Sequence, residues 1–353
     1  MKKLFYYISA IAAIILTSCS DESTPIDNIL PQEAKTVLIL NEGGFNQNNS
    51  TLSKYDLSTG TYNRDYFKSV NGRGLGDVGN DMILYGSKLY IVMNVSGTIE
   101  IVDPSTGTSL KQIEMKNDDI NKEPRFITSY EDKIYVTSTA DNTVTRIDTT
   151  TLNVEESVTV GMDPEEIVAS NGKLYVANSG GFSGFNNTIS IIDISSFEVI
   201  KEVEVGLNPV NLDTDRKGNV YISTLGNYYD VPGVFQKYNP ITETVTTIEE
   251  ITNSGKFLIH DNKAYIIQGS YGNPYSVIVY DCITEKVITN NFITDGTQID
   301  IIHSISVDEK TGDIFIMESD YITLGSVYCF DKRGQLKYSI DAIGLNPNSI
   351  IIL

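Results

Sequence analysis

The sequence has little of several residue types on which catalysis or metal binding depends. Among 353 residues there are no tryptophans, two histidines and three cysteines. Cys19, Cys282 and Cys329 are too scattered for a disulfide framework or a zinc cluster, both of which need close pairs. With only His260 and His303, few bases are available for general acid–base catalysis.

Positive charge is also scarce. Lysine and arginine number 26 against 46 aspartates and glutamates, which gives a formal charge of −20. Because such a field repels the phosphate backbone, nucleic acid is a poor candidate partner. Charged residues are 20% of the chain and hydrophobic residues 41%, so the composition favours a large packed core over disorder.

The first 18 residues have the pattern of an export signal. Lys2 and Lys3 precede an apolar run from residue 4 to residue 16, which suits a signal peptide and is short for a membrane span. The run ends in Leu16-Thr17-Ser18-Cys19, which resembles a bacterial lipobox. That resemblance implies cleavage before Cys19 and lipidation of its thiol. The alternative is an ordinary cleavage site followed by a buried or reactive cysteine.

The segment after Cys19 is predicted to be a tether. Loss of residues 1–18 removes two lysines and makes the formal charge −22. Asp21 and Glu22 resemble the acidic export signal of lipoproteins that some Gram-negative gut bacteria display on the outer membrane, which implies a cell-surface location. Residues 19–34 include Pro25 and Pro31 and lack periodicity, as expected of a flexible linker. Acyl chains on Cys19 would hold the protein at the membrane.

A short apolar strand recurs seven times in the remaining chain, and Lys173-Leu174-Tyr175-Val176 is one copy. After each copy comes a second marker, an apolar or aromatic residue followed by Asp or Asn. These markers are 42 to 50 residues apart. They are Tyr55-Asp56, Val102-Asp103, Ile147-Asp148, Ile192-Asp193, Tyr238-Asn239, Tyr280-Asp281 and Phe330-Asp331. A period in the mid-forties that holds four short strands is typical of one propeller blade.

The sequence therefore predicts an all-β fold, a seven-bladed β-propeller over residues 35–353 with four antiparallel strands, A to D, in each blade. The first blade lacks its A strand. The C-terminal segment from Asn346-Pro347 matches Asn208-Pro209, which begins another A strand, and so completes the first blade. This closure removes an exposed sheet edge. A β-helix is the alternative, but its repeat is shorter; six or eight blades would need one marker to be spurious or missed.

The recurring aspartates and the turns have structural explanations. An Asp at the end of strand C can accept a hydrogen bond from the backbone two residues later, which accounts for the markers without a functional site. Asn171-Gly172 and Asp261-Asn262 suit tight A–B hairpins. The segment from Asp213 to Gly218 is faintly similar to a calcium loop but lacks the downstream acid, so a plain hairpin is favoured.

The B–C and D–A connections are predicted to gather on one face, here the loop face, and the A–B and C–D turns on the other, the turn face. Loop-face connections are longer and rich in Gly, Phe and Tyr, which suits a large, partly flat ligand with polar edges. The alternative is that the rings pack under their own loops. The candidate binding residues are Phe45, Arg73, Asp77, Arg125, Phe126, Phe182, Phe185, Tyr228, Tyr229, Tyr271, Tyr275, His303 and Tyr321.

No catalytic constellation is evident in the sequence. His260 is predicted on the turn face and His303 near the loop face, so the two cannot cooperate. His303 alone could bind the metal of a ligand, although a structural role is the favoured interpretation. We therefore expect no enzymatic activity, no cofactor and no metal site.

The repeats resemble the YVTN/YncE-like propellers, best at residues 171–178 with Ile192-Asp193. Residues 40–45 and 72–82 are similar to surface lipoprotein propellers of gut bacteria, among them the BtuG-type cobalamin-binding proteins. This resemblance implies capture of cobalamin or a related corrinoid, as ligand and not as cofactor, and transfer to a BtuB-type outer-membrane transporter. The alternative functions are a glycan- or protein-interaction propeller of the envelope and, third, a lyase or hydrolase that uses His303.

Overall fold

A computed structural model describes residues 36–118, 120–181, 185–269 and 274–353. In these residues the main strands form seven four-stranded antiparallel sheets, which confirms the predicted seven-bladed propeller. The predicted signal peptide, Cys19 and the rest of the tether lie outside the described residues, and so do Phe182 and Tyr271.

The strands follow the chain blade by blade. Blade 1 begins with β1 (Thr36–Asn41), β2 (Thr51–Asp56) and β3 (Thr61–Asn63), and the helix α1 (Tyr66–Asn71) follows it. Blade 2 contains β4 (Gly79–Tyr85), β5 (Lys88–Met93), β6 (Thr98–Val102) and β7 (Ser109–Glu114), followed by a small hairpin of β8 (Lys116–Asn117) and β9 (Ile120–Asn121). Blade 3 contains β10 (Pro124–Tyr130), β11 (Lys133–Ser138), β12 (Thr143–Asp148) and β13 (Val154–Thr159).

The second half of the chain repeats the same order. Blade 4 contains β14 (Pro164–Ser170), β15 (Lys173–Asn178), β16 (Thr188–Asp193) and β17 (Glu198–Glu204). Blade 5 contains β18 (Pro209–Thr214), β19 (Val220–Thr224), β20 (Val234–Asn239) and β21 (Thr244–Thr252). Blade 6 contains β22 (Ser254–His260), β23 (Lys263–Gln268), β24 (Ser276–Asp281) and β25 (Lys286–Thr289). Blade 7 contains β26 (Ile302–Val307), β27 (Ile314–Glu318), β28 (Leu324–Phe330) and β29 (Leu336–Leu345), and β30 (Pro347–Ile352) ends the chain.

The ring closes as the sequence predicts. Strand β30 is the A strand of blade 1 and pairs antiparallel with β1, with Val37 opposite Ile352 and Ile39 opposite Ile350. Both ends of the propeller therefore contribute to one sheet. The pairing satisfies backbone groups that an open sheet edge would leave exposed.

The marker aspartates have the structural role expected of them. Asp56 Oδ1 accepts hydrogen bonds from the backbone N–H groups of Ser58 at 2.9 Å and Thr59 at 3.0 Å. Asp103 does the same for the turn of blade 2. At the A–B turn of blade 4, Asn171 and Gly172 have φ values of 50° and 73°, the left-handed conformation that a tight hairpin of this kind requires.

The hydrophobic core lies between neighbouring blades. Each B strand is buried over most of its length because it is covered on both faces, as the pattern of β5 shows for Leu89, Tyr90, Ile91 and Val92. The outer strand β13 is almost entirely exposed. One core cluster joins Leu40 of blade 1 to Phe67 of α1 and to Leu89 of blade 2. Apolar side chains contributed by both neighbours therefore hold adjacent blades together.

Two local elements are absent from the sequence-based prediction. Helix α1 spans six residues, with the carboxylate of Asp65 as N-cap and Gly72 at φ 69° as C-cap. The hairpin of β8 and β9 lies in the connection between blades 2 and 3. Both are too short to produce a readable hydrophobic period.

Cys282 and Cys329 are free, buried thiols. Burial raises the pKa of each thiol to about 12, so neither is an activated nucleophile. In the part of the chain that the structure describes, no helix is long and apolar enough to cross a membrane.

Candidate ligand-binding site on the loop face

The seven A strands form the wall of the central channel. Neighbouring A strands pack on one another, from β4 through β10, β14, β18, β22 and β26 to β30. Each begins at the loop face, since the D–A connection leads into it. The first residues of these strands therefore lie at the loop-face mouth of the channel.

Five inner strands each contribute one polar side chain, near the start of the strand, to a chain of hydrogen bonds. Arg125 Nη2 donates to Glu165 Oε2 at 2.7 Å, and Arg125 Nη1 donates to Asn80 Oδ1 at 2.7 Å. Asn348 Nδ2 donates to the backbone oxygen of Asn80 at 2.5 Å. Lys256 Nζ donates to Asn348 Oδ1 at 3.1 Å. These contacts join β14, β10, β4, β30 and β22 at the channel mouth.

Four carboxyl groups of the inner strands have raised pKa values, mainly because of burial, and they belong to Asp81, Glu165, Glu166 and Asp213. The pKa of Asp81 is raised to about 6 and that of Asp213 to about 7. The pKa of Glu166 lies well above its ordinary value because of burial and the nearby charge of Asp81, although Lys256 opposes this rise. Asp81 Oδ2 accepts the backbone N–H of Ile127 in the next blade at 3.2 Å. Burial makes the ionised form of these acids unfavourable, so they bind a proton at a higher pH than exposed carboxylic acids do.

A channel-mouth pocket of about 310 Å³ lies beside this network. Its lining combines charged groups with apolar side chains. The charged residues are Arg125, Glu165 and Lys256, and the apolar ones include Phe126 and Leu225. The Arg125 guanidinium lies over the Phe126 ring, 5.7 Å from its centroid.

A larger pocket of about 740 Å³, the blade 5–6 pocket, adjoins it. It lies between loop 225–233 and the strands of blade 6, and it shares Leu225, Tyr228 and Gly255 with the channel-mouth pocket. Tyr229 is 94% exposed. The Tyr228 ring lies 6.0 Å from the Phe185 ring, and its hydroxyl accepts a hydrogen bond from Asn208 at 3.3 Å. Exposed rings on a fixed loop provide a surface for stacking.

His303 belongs to a separate cluster on the loop face. Its Nδ1 lies 3.1 Å from the Tyr321 hydroxyl and its Nε2 lies 3.3 Å from Glu42 Oε1. The metal of a ligand would have to displace one of these contacts to reach the imidazole. His260 ends β22 on the turn face, where its Nδ1 lies 3.1 Å from Glu309 Oε2, so the two histidines are separated as predicted.

The structure brings some of the predicted residues together and separates others. Arg125, Phe126, Phe185, Tyr228 and Tyr229 lie at or beside the two adjoining pockets. The other predicted residues of the described chain do not line these pockets.

Arg73 and Asp77 have structural partners instead. Arg73 Nη2 lies 2.8 Å from Oε1 of the fully buried Glu100, and its guanidinium covers the Phe67 ring. Asp77 is buried and accepts the backbone N–H of Asn48 at 3.1 Å. Removing either would disturb the packing of blades 1 and 2, since both contacts join neighbouring segments there.

The loop-face rings are predicted either to be exposed for ligand binding or to pack under their own loops, and Phe45 and Tyr275 are examples of the two. Phe45 is 72% exposed in the β1–β2 loop. Tyr275 is half-buried and packs on the core between blades 6 and 7. Packing under a loop therefore accounts for Tyr275 but not for Phe45 or Tyr229.

The sequence-based prediction did not find the polar residues of the inner strands. Asn80, Asp81, Glu166, Asn211 and Lys256 all occupy the second or third position of an A strand. Their position in the repeat could have identified them. In Asn208-Pro209 and its repeats, the two residues after the proline position lie at the channel mouth whatever their identity. Among the described residues, no three His, Cys, Asp or Glu side chains form a group able to hold a metal ion.

Residues 35–342 match a protein family described as a domain of unknown function, DUF5074. The chain belongs to the DUF5074 family. The match spans nearly the whole propeller. No curated protein matches the DUF5074 chain.

Solved structures similar to this DUF5074 chain share its fold at low sequence identity. A functionally unknown protein from Desulfotomaculum acetoxidans has a TM-score of 0.65 and 12% identity, with 90% of this chain and 99% of that chain covered. A putative 6-phosphogluconolactonase from Bacteroides fragilis has a TM-score of 0.60 and 12% identity, with 91% and 98% covered. A streptogramin B lyase has a TM-score of 0.57 and 12% identity, with 74% and 82% covered. At such identity these similarities establish the fold alone.

Proposed function

We propose that this DUF5074 propeller is a surface lipoprotein that captures cobalamin or a related corrinoid on its loop face and passes it to an outer-membrane transporter. The propeller fold is consistent with a binding or interaction role. The observation that carries the proposal is the exposed aromatic surface of loop 225–233 beside a pocket of about 740 Å³. A flat macrocycle with amide arms matches rings for stacking and polar groups at their edges.

The proposal includes no catalysis. Histidines on opposite faces cannot act together, and His303 is engaged by Glu42 and Tyr321. Two of the acids with raised pKa values, Asp81 and Asp213, accept backbone N–H groups, which suits a structural role. A binding protein needs only a fixed surface, and a rigid ring of sheets supplies one.

Calorimetric titration of the mature chain with a panel of corrinoids tests the proposal. We expect saturable binding of cyanocobalamin by the wild type and at least a tenfold loss of affinity in Tyr229→Ala, since truncating a central aromatic contact typically costs more than 1 kcal/mol, with ~1.4 kcal/mol for each factor of ten. Ile241→Ala is the matched control, because Ile241 is 86% exposed in a C–D turn on the opposite face. No heat of binding from any corrinoid would reject the proposed ligand.

A glycan- or protein-interaction role is the second candidate. It is favoured by apolar side chains that lie on the loop face outside the two pockets. Phe45 in the β1–β2 loop is 72% exposed and Ile322 in the β27–β28 loop is 83% exposed. A partner that covers several loops would use them, whereas a ligand confined to the pockets would not. Affinity isolation of a stable partner whose binding is lost in Phe45→Ala, without any effect of corrinoids, would favour this function.

A further inference from the structure

We propose that the channel-mouth pocket is a binding site for a phosphodiester group, and that Lys256 is the cation that recognises it. The proposal deepens the proposed function, on which it rests for the identity of the remaining ligand. The phosphodiester would occupy the pocket of about 310 Å³, and the body of the ligand would lie against Tyr228 at the border with the blade 5–6 pocket.

The net charge of the pocket lining is positive, whereas the net charge of the whole molecule is negative. Arg125 and Lys256 provide two positive charges and Glu165 one negative charge, in a chain whose formal charge is −20. Arg125 is already paired with Glu165 at 2.7 Å. That leaves the charge of Lys256 as the net charge of the lining.

Lys256 is held in place but not neutralised by a direct ion pair. Its Nζ donates to a neutral amide oxygen, Asn348 Oδ1, at 3.1 Å. Among the described residues, no carboxylate oxygen lies within 4.0 Å of this nitrogen. An ammonium has three donors, so two remain for a ligand.

The rest of the lining favours a diester over free phosphate. One unpaired cation matches the single charge of a diester, whereas inorganic phosphate carries between one and two charges at neutral pH. The apolar side chains Phe126, Val210 and Leu225 suit the carbon substituents on the two ester oxygens. Asn211 and Ser179 add polar groups to the wall.

Other titratable groups of the inner wall make binding depend on pH. Asp81 of β4 and Glu166 of β14 interact electrostatically with Lys256. The pKa of Asp81 is raised to about 6, and the pKa of Glu166 is also raised, because both are buried. As the pH falls from 7.5 to 5.5, protonation of Asp81 removes negative charge near Lys256. Affinity for an anion should therefore rise.

The remaining charged groups around the channel do not reverse this expectation. Arg125 is paired with Glu165, whose pKa is raised by burial and whose protonation would also remove negative charge, and His303 of β26 lies against Glu42. Asp213 of β18, with a pKa of about 7, and the rim residue Asp163, whose pKa is raised by burial, also lose charge on acidification. Their protonation acts in the same direction as that of Asp81 and Glu166.

The experiment compares two probes of similar shape, dimethyl phosphate, which is a monoanion, and trimethyl phosphate, which is neutral. The mature chain is titrated with each by NMR at pH 5.5 and 7.5. We expect binding of dimethyl phosphate only, with affinity about three- to tenfold higher at pH 5.5. Equal shifts with the two probes, or affinity that rises with pH, would overturn the proposal.

Variants locate the site. Lys256→Gln should abolish the binding of dimethyl phosphate, whereas Lys310→Gln, which removes an exposed lysine from the A–B turn of blade 7 on the opposite face, should retain it. The double variant Asp81→Asn, Glu166→Gln should bind dimethyl phosphate more tightly than the wild type at pH 7.5, because it lacks the two acids that interact with Lys256. If Lys256→Gln fails to fold, this double variant decides, because binding no tighter than that of the wild type at pH 7.5 would reject Lys256 as the cation that recognises the anion.

The outcome is separable from that of the corrinoid test. Corrinoid binding without any response to dimethyl phosphate would reject the phosphodiester site and leave the proposed function intact. Binding of dimethyl phosphate without binding of any corrinoid would reject corrinoid capture and leave the phosphodiester site intact.

Discussion

At the residue scale, the inner strands combine stabilising hydrogen bonds with unfavourable burial of charge. Asp213 Oδ2 accepts the backbone N–H of Ile259 at 2.6 Å, which joins blade 5 to blade 6. This bond favours the ionised carboxylate, but burial outweighs it and raises the pKa to about 7. The same group therefore connects two blades and is easily protonated.

Asp213 predicts a pH dependence of stability. Because its pKa is higher in the folded than in the unfolded chain, its contribution to stability is fully present below pH 4 and is lost as the pH rises to 7. In urea unfolding, we expect the wild type to lose about 2 kcal/mol more than Asp213→Asn between pH 5 and pH 8. Glu249→Gln, at an exposed position of β21, should show the wild-type profile. Parallel profiles for Asp213→Asn and the wild type would contradict this prediction.

Tyrosine hydroxyls of the B strands provide a second residue-scale test. The Tyr90 hydroxyl is buried and makes no hydrogen bond within the described chain. Tyr90→Phe should leave the melting temperature unchanged or raise it, since an unpartnered polar group is costly to bury. Tyr328→Phe is the matched variant and should cost about 1 kcal/mol, because the Tyr328 hydroxyl donates to Glu318 Oε2 at 3.0 Å. Equal destabilisation by both substitutions would show that Tyr90 has a partner.

At the scale of the element, an asparagine at the end of the B strand packs, in two blades, against the segment of the chain that leads into the A strand. In blade 4, Asn178 at the end of β15 donates to Ser190 at 2.9 Å and to Thr188 at 3.0 Å. Its side chain lies directly against Gly161 of the preceding D–A connection. Asn41 makes the equivalent bonds in blade 1 and lies against Gly344.

The glycine of this contact should not tolerate a side chain. A Cβ atom on Gly161 would lie 2.4 Å from Asn178 Cγ, and the buried, bonded amide cannot easily move away. We expect Gly161→Ala to destabilise the protein by about 1–3 kcal/mol in chemical unfolding. Gly74→Ala is the control, since a Cβ there meets nothing within 4 Å. Similar stability of the two variants would show that the side chains around Asn178 can move to accommodate the added Cβ atom.

The elements were predictable to the degree that they recur. The Asp markers at positions such as 56 and 103 repeat because every C–D turn needs the same hydrogen bonds, so the blades could be counted from sequence. Helix α1 occurs once and has no such signal. The channel residues Asp81 and Lys256 were missed for a related reason, since each inner strand places a different side chain in the channel. Arg73 looked exposed in sequence because its partner, Glu100, is 27 residues away.

At the scale of the whole molecule, stability depends on closure of the ring. Every blade packs against two neighbours, and blade 1 is completed only by β30. Its residues Ile350 and Ile352 join the core between blades 7 and 1. Removing this strand would expose both the edge of β1 and that core.

A chain that ends at Asn346 should therefore lose more than a local element. We expect broad, non-cooperative thermal unfolding and association of the truncated protein, since the unpaired edge of β1 can pair with other chains. Removal of Leu353 alone should preserve a single sharp transition. Circular dichroism melts and size-exclusion chromatography measure the two properties. A monomeric truncated chain with the wild-type melting temperature would show that closure is dispensable.

The pairing of β1 with β30 also orders events while the protein is synthesised. Blades 2 to 7 have all their strands in one continuous stretch, so each can fold as soon as its own segment of the chain is free. The first blade cannot, because its innermost strand is the last to arrive. Until then its partly formed sheet has an unpaired edge, so a chaperone that covers this edge would be needed at the start of the propeller until β30 is free to pair.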